Sequence, residues 1–115
     1  MWRSYLRYRL RRKGAFHIHS PFVYRLYTQV IRRGDEEALK SLGIESTVIV
    51  TEGMAPEGDQ TVMYVVEGIH DSKVKEAFWD AICERSDVTL TIDLYHRGLF
   101  FYRDGMEKQH FVLRS

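Results

Sequence analysis

The feature that most constrains the fold is a continuous apolar run followed by a helical pattern and then by an alternating one. Residues 61–67 are apolar almost throughout, as expected of an interior strand that is covered on both faces. Residues 88–94 alternate apolar and polar side chains, which is the period of a half-exposed strand. Between them, the helix that begins with Asp71 as its predicted cap has its apolar residues at helical spacing: Val74, Ala77, Phe78, Ala81 and Ile82. This order predicts an α/β fold with that helix packed on one face of the sheet.

Further strands are expected on both sides of this unit. The β-branched run at residues 47–51 predicts a strand, and the stretch 52–60, which contains glycine and proline, predicts a loop. After turns at residues 95–98 and at Asp104-Gly105, residues 99–102 and 110–113 read as the last strands. We therefore expect a mixed parallel and antiparallel sheet of four to five strands with flanking helices.

Two helices are expected between residue 20 and the first predicted strand. Ser20 is a good helix cap and Pro21 suits the first helical position. The helix that they begin is expected to end at Gly34. Its apolar stripe consists of Val23, Leu26, Tyr27, Val30 and Ile31. Residues 35–42 predict a second helix, with Asp35 as its cap and Gly43 as its terminator.

Charge is divided sharply along the chain, although the formal net charge is only +1. Residues 1–34 contain nine Arg or Lys and no acid, whereas residues 35–115 contain eight basic and sixteen acidic residues. The segment charges are therefore +9 and −8, and the two segments should attract each other within one chain or between two. We expect one domain over residues 1–115, with a basic helical segment at 1–34 and an α/β part at 46–115.

The beginning of the basic segment is the part with a plausible charged partner. Aromatic and apolar side chains lie at helical spacing among arginines, which predicts a basic amphipathic helix ending near Lys13-Gly14. Three interpretations are open: the helix packs on the acidic remainder of the chain, binds nucleic acid, or lies on an anionic membrane surface. The candidate polyanion-binding residues are Arg3, Arg7, Arg9, Arg11, Arg12 and Lys13.

Several pieces of the chain resemble the class I S-adenosylmethionine-dependent methyltransferase family, in family order. The first is residues 64–72, where a strand is followed by the turn Glu-Gly-Ile-His-Asp-Ser. Residues 77–82 resemble the next helix, and residues 88–103 with 109–114 resemble the closing antiparallel strands. Residues 18–24 are similar to the His-Ser-Pro-Phe-Val segment that precedes the catalytic domain in one bacterial branch. The resemblance implies a reduced Rossmann-like methyltransferase half.

The middle of the chain departs from the family pattern. In the family an upstream strand ends in a glycine-rich turn that holds S-adenosylmethionine, and residues 35–59 are too short for the βα units that carry it. The remnant at residues 48–58 supplies the cofactor-binding candidates Glu52, Gly53 and Gly58. We therefore expect no cofactor, and a truncated methyltransferase-like protein with a non-catalytic binding or structural role. If a partner or a second copy completes the site, the chain would instead be an S-adenosylmethionine-dependent methyltransferase.

Glu67, His70 and Asp71 are the catalytic candidates, because they follow the predicted interior strand at its carboxyl end, where open α/β sheets place their sites. In the competing interpretation Asp71 caps its helix and His70 faces solvent. Gly68 stands where metal-using relatives have a second acid, so the resemblance implies no metal site. His17 and His19 also have no third ligand at a recognisable spacing.

Three further features concern location and assembly. Cys83 is the single cysteine, so no intrachain disulfide can form and a cytoplasmic location is expected. No apolar run reaches the length of a membrane span. The aromatic run at residues 100–102 needs cover on both strand faces, and a reduced sheet has open edges. We therefore expect a homodimer, formed through the sheet edge or by exchange of the amino-terminal helices.

Overall fold

One mixed sheet lies between two groups of helices in a computed structural model that describes residues 20–114 and the backbone of residues 12–13. The strands are β1 (Arg12–Lys13), β2 (Ser46–Ile49), β3 (Val62–Glu67), β4 (Leu90–Asp93), β5 (Arg97–Phe101) and β6 (Gln109–Leu113). The helices are α1 (Pro21–Arg25), which continues as the π-helical segment Leu26–Ile31, then α2 (Glu36–Ser41) and α3 (Lys73–Glu84).

The strands lie in the order β1-β6-β4-β5-β3-β2. β2 is parallel to β3 and β4 is parallel to β6, while β5 lies between β3 and β4 and is antiparallel to both. Five strands between residues 46 and 113 confirm the predicted mixed α/β sheet. The expectation that residues 109–114 close the sheet antiparallel is wrong, because the chain passes from β5 to the far side of β4 and enters β6 parallel to it.

The helix signals near the start of the described chain are confirmed. The Ser20 side chain accepts a hydrogen bond from the Val23 N–H at 3.3 Å, and the Asp35 carboxylate accepts one from the Ala38 N–H at 3.2 Å. The end of the first helix differs from a regular α-helix. Its Arg32 N–H donates to the Tyr27 carbonyl, five residues back, at 3.0 Å. π-Helical turns of this kind are rare and are often found at functional sites.

Each face of the sheet has its own apolar core. α1, the π-helical segment and α2 cover one face, where Val65, Ile92 and Leu99 are buried. α3 covers the other face, where Tyr64 and Phe100 stack with ring centroids 5.0 Å apart. β4 is buried along its whole length because it lies inside the sheet with helices over both faces. The prediction of a half-exposed strand there is therefore wrong.

α3 presents a different face to the sheet from the predicted one. Its cap is Ser72, whose hydroxyl accepts a hydrogen bond from the Lys75 N–H at 3.2 Å, so Asp71 is not the cap. Trp79 and Ile82 are buried, whereas Val74 is 69% exposed and the two alanines of the predicted stripe are also exposed. The cause is Gly98 on β5, since a Cβ there would lie 2.5 Å from the Trp79 ring. The absence of that side chain lets the indole pack directly on the sheet.

The aromatic run at residues 100–102 is buried by the chain itself. Phe22 of α1 packs edge-on against Phe101, with ring centroids 5.6 Å apart, and Phe100 and Tyr102 belong to the core beneath α3. A second subunit is therefore not needed to cover these rings. The homodimer stays a prediction.

The amino-terminal basic segment differs from the prediction where the structure describes it. Arg12 and Lys13 form a short strand that pairs in parallel with Val112 and Leu113 of β6. The predicted helix ending near Lys13-Gly14 is wrong at these two residues, because their backbone extends the β6 edge of the sheet. The remainder of that helix, the other candidate polyanion-binding residues, His17 and His19 lie outside the described residues. Over the described ranges, no helix has the length and apolar character needed to cross a membrane.

Candidate functional site

At and beyond the carboxyl end of β3, the predicted site residues Glu67 and His70 lie on opposite faces of the sheet. Side chains alternate between the two faces of a strand, so Glu67 lies on the same face as Val65, under the amino-terminal helices. His70, beyond the strand end, turns to the opposite face and meets α3 and β4. Glu67 and His70 are therefore not partners, although the sequence places them three residues apart.

Glu67 is paired with Arg97, the residue directly opposite on β5. The Arg97 Nε lies 3.0 Å from Glu67 Oε1, and its Nη2 donates to Oε2 at 3.3 Å. The two side chains are 51% and 54% exposed. An ion pair this exposed is worth on the order of 1 kcal/mol or less, so it can be rearranged by a ligand at little cost.

This ion pair stands on the rim of an open cavity of about 580 Å³. We call this cavity the groove. Its floor is the sheet face formed by β2, β3 and β5, and one wall is the end of the π-helical segment, with Val30 and Ile31. His96, exposed on the turn before β5, lies at the same end as the ion pair. Apart from this polar end the lining is largely apolar, and a concave apolar surface with a few polar groups is typical of small-molecule sites.

The side chains on the floor of the groove form three rows that follow from strand register, and the first row is Thr47 and Met63. Ile49, Val65 and Leu99 are consecutive partners across β2, β3 and β5 and form an apolar row. Glu67 and Arg97 form the next row on the same face. β2 ends at Ile49, which is 60% exposed, so the groove is open at that corner.

The opposite face holds a buried polar cluster around His70, which is only 8% exposed. His70 Nδ1 lies 3.1 Å from Glu76 Oε2 on α3, and Nε2 lies 2.8 Å from Asp93 Oδ2 on β4. Ionised carboxylates only accept hydrogen bonds, so the protonated ring, in which both nitrogens donate, satisfies both contacts. Tyr95 stacks on the imidazole at 5.0 Å, and its N–H donates to Asp93 Oδ1 at 2.8 Å.

The protonation of His70 follows from this cluster. Burial on its own would lower the pKa of His70, but the hydrogen bonds and negative charges of Asp93 and Glu76 outweigh it, so the pKa is raised above 6.5. With each ring nitrogen bound to a carboxylate, the imidazole has no position left for a substrate proton. The interpretation in which His70 faces solvent is wrong, and the cluster joins the β3–α3 turn to β4.

Asp71 is exposed and lies on the turn beside Gly68. Gly68 has a φ of 65°, and a Cβ there would lie 2.5 Å from the Asp71 carboxylate. Both the backbone conformation and this close approach require glycine. The three catalytic candidates thus lie in three different surroundings: the groove rim, a buried cluster and an exposed turn.

The cofactor-binding candidates do not share one turn. Glu52 and Gly53 lie in a tight turn after β2 that is closed by the Met54 N–H donating to the Thr51 carbonyl at 3.1 Å. Gly58 packs on Tyr102, since a Cβ there would lie 2.7 Å from the ring. The loop between them is held by tyrosine hydroxyls: Tyr64 donates to the Glu57 carbonyl at 3.0 Å, and Tyr102 to the Pro56 carbonyl at 3.1 Å.

Two further points concern the remaining titratable residues. Among the described residues, no three His, Cys, Asp or Glu side chains converge in a way that could hold a metal ion. The Nδ1 atom of His110 lies 2.7 Å from the Thr91 hydroxyl. Sequence reasoning missed Arg97, Asp93 and Glu76 as site residues. No local signal identifies the two acids: Asp93 occupies a polar position of the alternating pattern, and the hydrophobic pattern of the helix leaves Glu76 outside its apolar stripe.

Comparison of the chain with models of known protein families, with curated proteins and with solved structures gives no match.

Proposed function

We propose that this chain is a methyltransferase-like scaffold without a cofactor cradle of its own, and that its role is to bind a small molecule in the groove. The groove is the observation that carries the proposal. Its volume of about 580 Å³ is within the range of ligand sites, and its charged rim stands over an apolar floor. The π-helical wall supports the same conclusion, because such turns often accompany function.

The proposed methyltransferase ancestry is supported by the part of the sheet from β3 to β5, and not by β6, which is parallel to β4. β3, α3 and β4 form a unit of two strands that run in the same direction, and β5 returns antiparallel between them. The sequence resemblance predicts closing antiparallel strands after this helix, and the β4–β5 hairpin has that form. Because one fold hosts many functions, this likeness supports descent and not activity.

The absence of a cradle is supported by the connection between β2 and β3. These strands are parallel, yet residues 50–61 between them form a loop with no helix. A cradle of the Rossmann type uses a glycine-rich turn that opens a helix, whose amino-terminal N–H groups face the ligand. Here the carbonyl groups of Pro56 and Glu57 instead accept hydrogen bonds from the hydroxyls of Tyr102 and Tyr64.

The melting temperature of the chain with S-adenosylmethionine and S-adenosylhomocysteine tests the cofactor part of the proposal. A ligand at 100 times its dissociation constant stabilises a protein by about 2.7 kcal/mol, which is several degrees for a domain of this size. We expect no change with either ligand at millimolar concentration. A saturable rise would instead favour a methyltransferase whose site is completed by a partner or a second copy.

The other partner interpretations rest on residues 3–13, most of which the structure does not describe. Nucleic-acid binding through these arginines would weaken steeply as salt is raised, and absence of such binding would remove that interpretation. A homodimer and a cytoplasmic location remain predictions of the sequence.

A further inference from the structure

We infer that the groove recognises an α-amino acid with a large aromatic side chain, through the zwitterionic head group of that ligand. This inference rests on the proposed binding role. Glu67 and Arg97 present a carboxylate and a guanidinium side by side on the rim. A ligand ammonium complements Glu67 and a ligand carboxylate complements Arg97, so that one head group satisfies both charges.

Strand register gives the direction of the bound ligand. The charged row, Glu67 and Arg97, is two residues further along the strands than the apolar row of Ile49, Val65 and Leu99. Two residues of an extended strand span about 7 Å. A head group on the charged row therefore places an aromatic side chain over the apolar row, beside the Val30 and Ile31 wall.

The ion pair leaves room for such a ligand. Its two contacts use two of the five N–H donors of the Arg97 guanidinium, and each Glu67 oxygen can accept more than one hydrogen bond. Both side chains are about half exposed, so the head group can approach from solvent. A purely anionic ligand would meet the Glu67 charge, and a purely cationic ligand would meet the Arg97 charge.

The same geometry disfavours the methyltransferase cofactor, which has an amino acid head group too. The ribose of S-adenosylhomocysteine would lie over the apolar row of Ile49, Val65 and Leu99, which offers no side-chain hydrogen-bond partner for its hydroxyls. Buried hydroxyls without partners lose affinity. Aromatic amino acids have no such groups next to the head group, so the two ligand classes can be told apart.

The test is calorimetric titration of the full chain with L-tryptophan and two matched probes. Tryptamine lacks the carboxylate, and indole-3-propionate lacks the ammonium group. Since each probe loses one charged hydrogen-bond partner, we expect L-tryptophan to bind about tenfold or more tightly than either. Affinities of the three probes within about threefold of one another, or no binding of L-tryptophan, would overturn the inference.

Two charge variants test which residue contacts the ligand ammonium and which contacts the ligand carboxylate. Glu67→Gln should remove the preference for L-tryptophan over indole-3-propionate while keeping the preference over tryptamine. Arg97→Gln should do the reverse. If the ion pair served only to hold β3 against β5, the two variants would not differ in which probe preference they lose. Equal losses of both preferences in both variants would therefore contradict the recognition of a zwitterion.

A matched pair of exposed apolar residues tests the location. Ile49→Gln, in the groove, should weaken L-tryptophan by about tenfold or more. Val74→Gln, on the outer face of α3, should leave the affinity unchanged, and both side chains are exposed enough for the variants to fold. If all three probes bound equally and Ile49→Gln abolished their binding, the proposed binding role would stand. Only the recognition of a zwitterionic head group would be refuted. A melting temperature raised by S-adenosylmethionine would count against the proposed function instead.

Discussion

At the scale of single residues, the His70 cluster joins the β3–α3 turn to α3 and β4 through buried polar contacts. Each ring nitrogen of a buried imidazole meets a carboxylate, one from α3 and one from β4. Removing one member of such a group leaves buried charge without its partner, which costs more than the intact group contributes. The main effect of the cluster on the free energy of unfolding is therefore expected when one of its members is removed.

Replacing His70 with leucine should destabilise the chain by about 3 kcal/mol or more, because Glu76 and Asp93 would lose the positive charge between them. Urea unfolding followed by circular dichroism measures this loss. His96→Leu is the matched control, since His96 is exposed and its loss should cost no more than about 0.5 kcal/mol. Similar losses in the two variants would contradict the account of the cluster.

The same residue predicts a pH dependence of stability. The pKa of His70 is raised in the folded chain by Asp93 and Glu76, against the effect of burial, and is close to 6.5 when the chain is unfolded. Its contribution is therefore complete below pH 6.5 and is lost as the pH rises through the raised folded pKa. The difference in unfolding free energy between the wild type and His70→Leu should shrink as the pH rises above 6.5 and through the raised folded pKa of His70. A difference that stays constant or grows would show that the folded pKa is not raised.

Single residues also show what sequence reasoning can find at this site. Glu67, His70 and Asp71 were identifiable because they follow a strand directly, and position relative to a strand end is a local signal. Their partners were not identifiable. Arg97 is thirty residues from Glu67, and its place opposite Glu67 depends on the register of an antiparallel pairing. That register is a tertiary property, so no local pattern contains it.

At the scale of secondary-structure elements, the caps of α1 and α2 were predictable, whereas the cap and the buried face of α3 were not. Ser20 and Asp35 bond to backbone N–H groups within three residues, so their signal is local. α3 has apolar residues around more of its circumference than the sheet can cover. The face that is buried contains Trp79 and Glu76, which are selected by Gly98 and His70 elsewhere in the chain. A hydrophobic pattern alone excludes Glu76 from a buried face.

The contact between α3 and β5 gives a second stability prediction. Gly98→Ala should destabilise the chain by about 1–3 kcal/mol, because the added methyl group would lie 2.5 Å from the Trp79 ring and force a shift. Thermal or urea unfolding measures the cost. In a Trp79→Leu background the same change should cost less, since a smaller side chain leaves space for the methyl group. Equal costs in the two backgrounds would show that α3 does not pack on Gly98 in this way.

At the scale of the whole molecule, the two faces of the sheet have different features. The face under α3 is occupied by a packed aromatic core and the His70 cluster, while the face under the amino-terminal helices includes the groove. The sequence predicted the α/β class and the mixed sheet, because strand and helix periods are strong over residues 61–113. It did not predict the groove, which exists only once the π-helical segment and three strands are brought together.

The central proposal is that the chain binds a small molecule in the groove and does not bind S-adenosylmethionine or its product. One NMR titration tests it most directly. The ¹⁵N-labelled full chain would receive S-adenosylhomocysteine first and L-tryptophan second. We predict no change in the amide signals at the first step, and saturable shifts centred on Ile49, Val65 and Leu99 at the second. Saturable shifts with S-adenosylhomocysteine, and none at these three residues with L-tryptophan, would contradict the account.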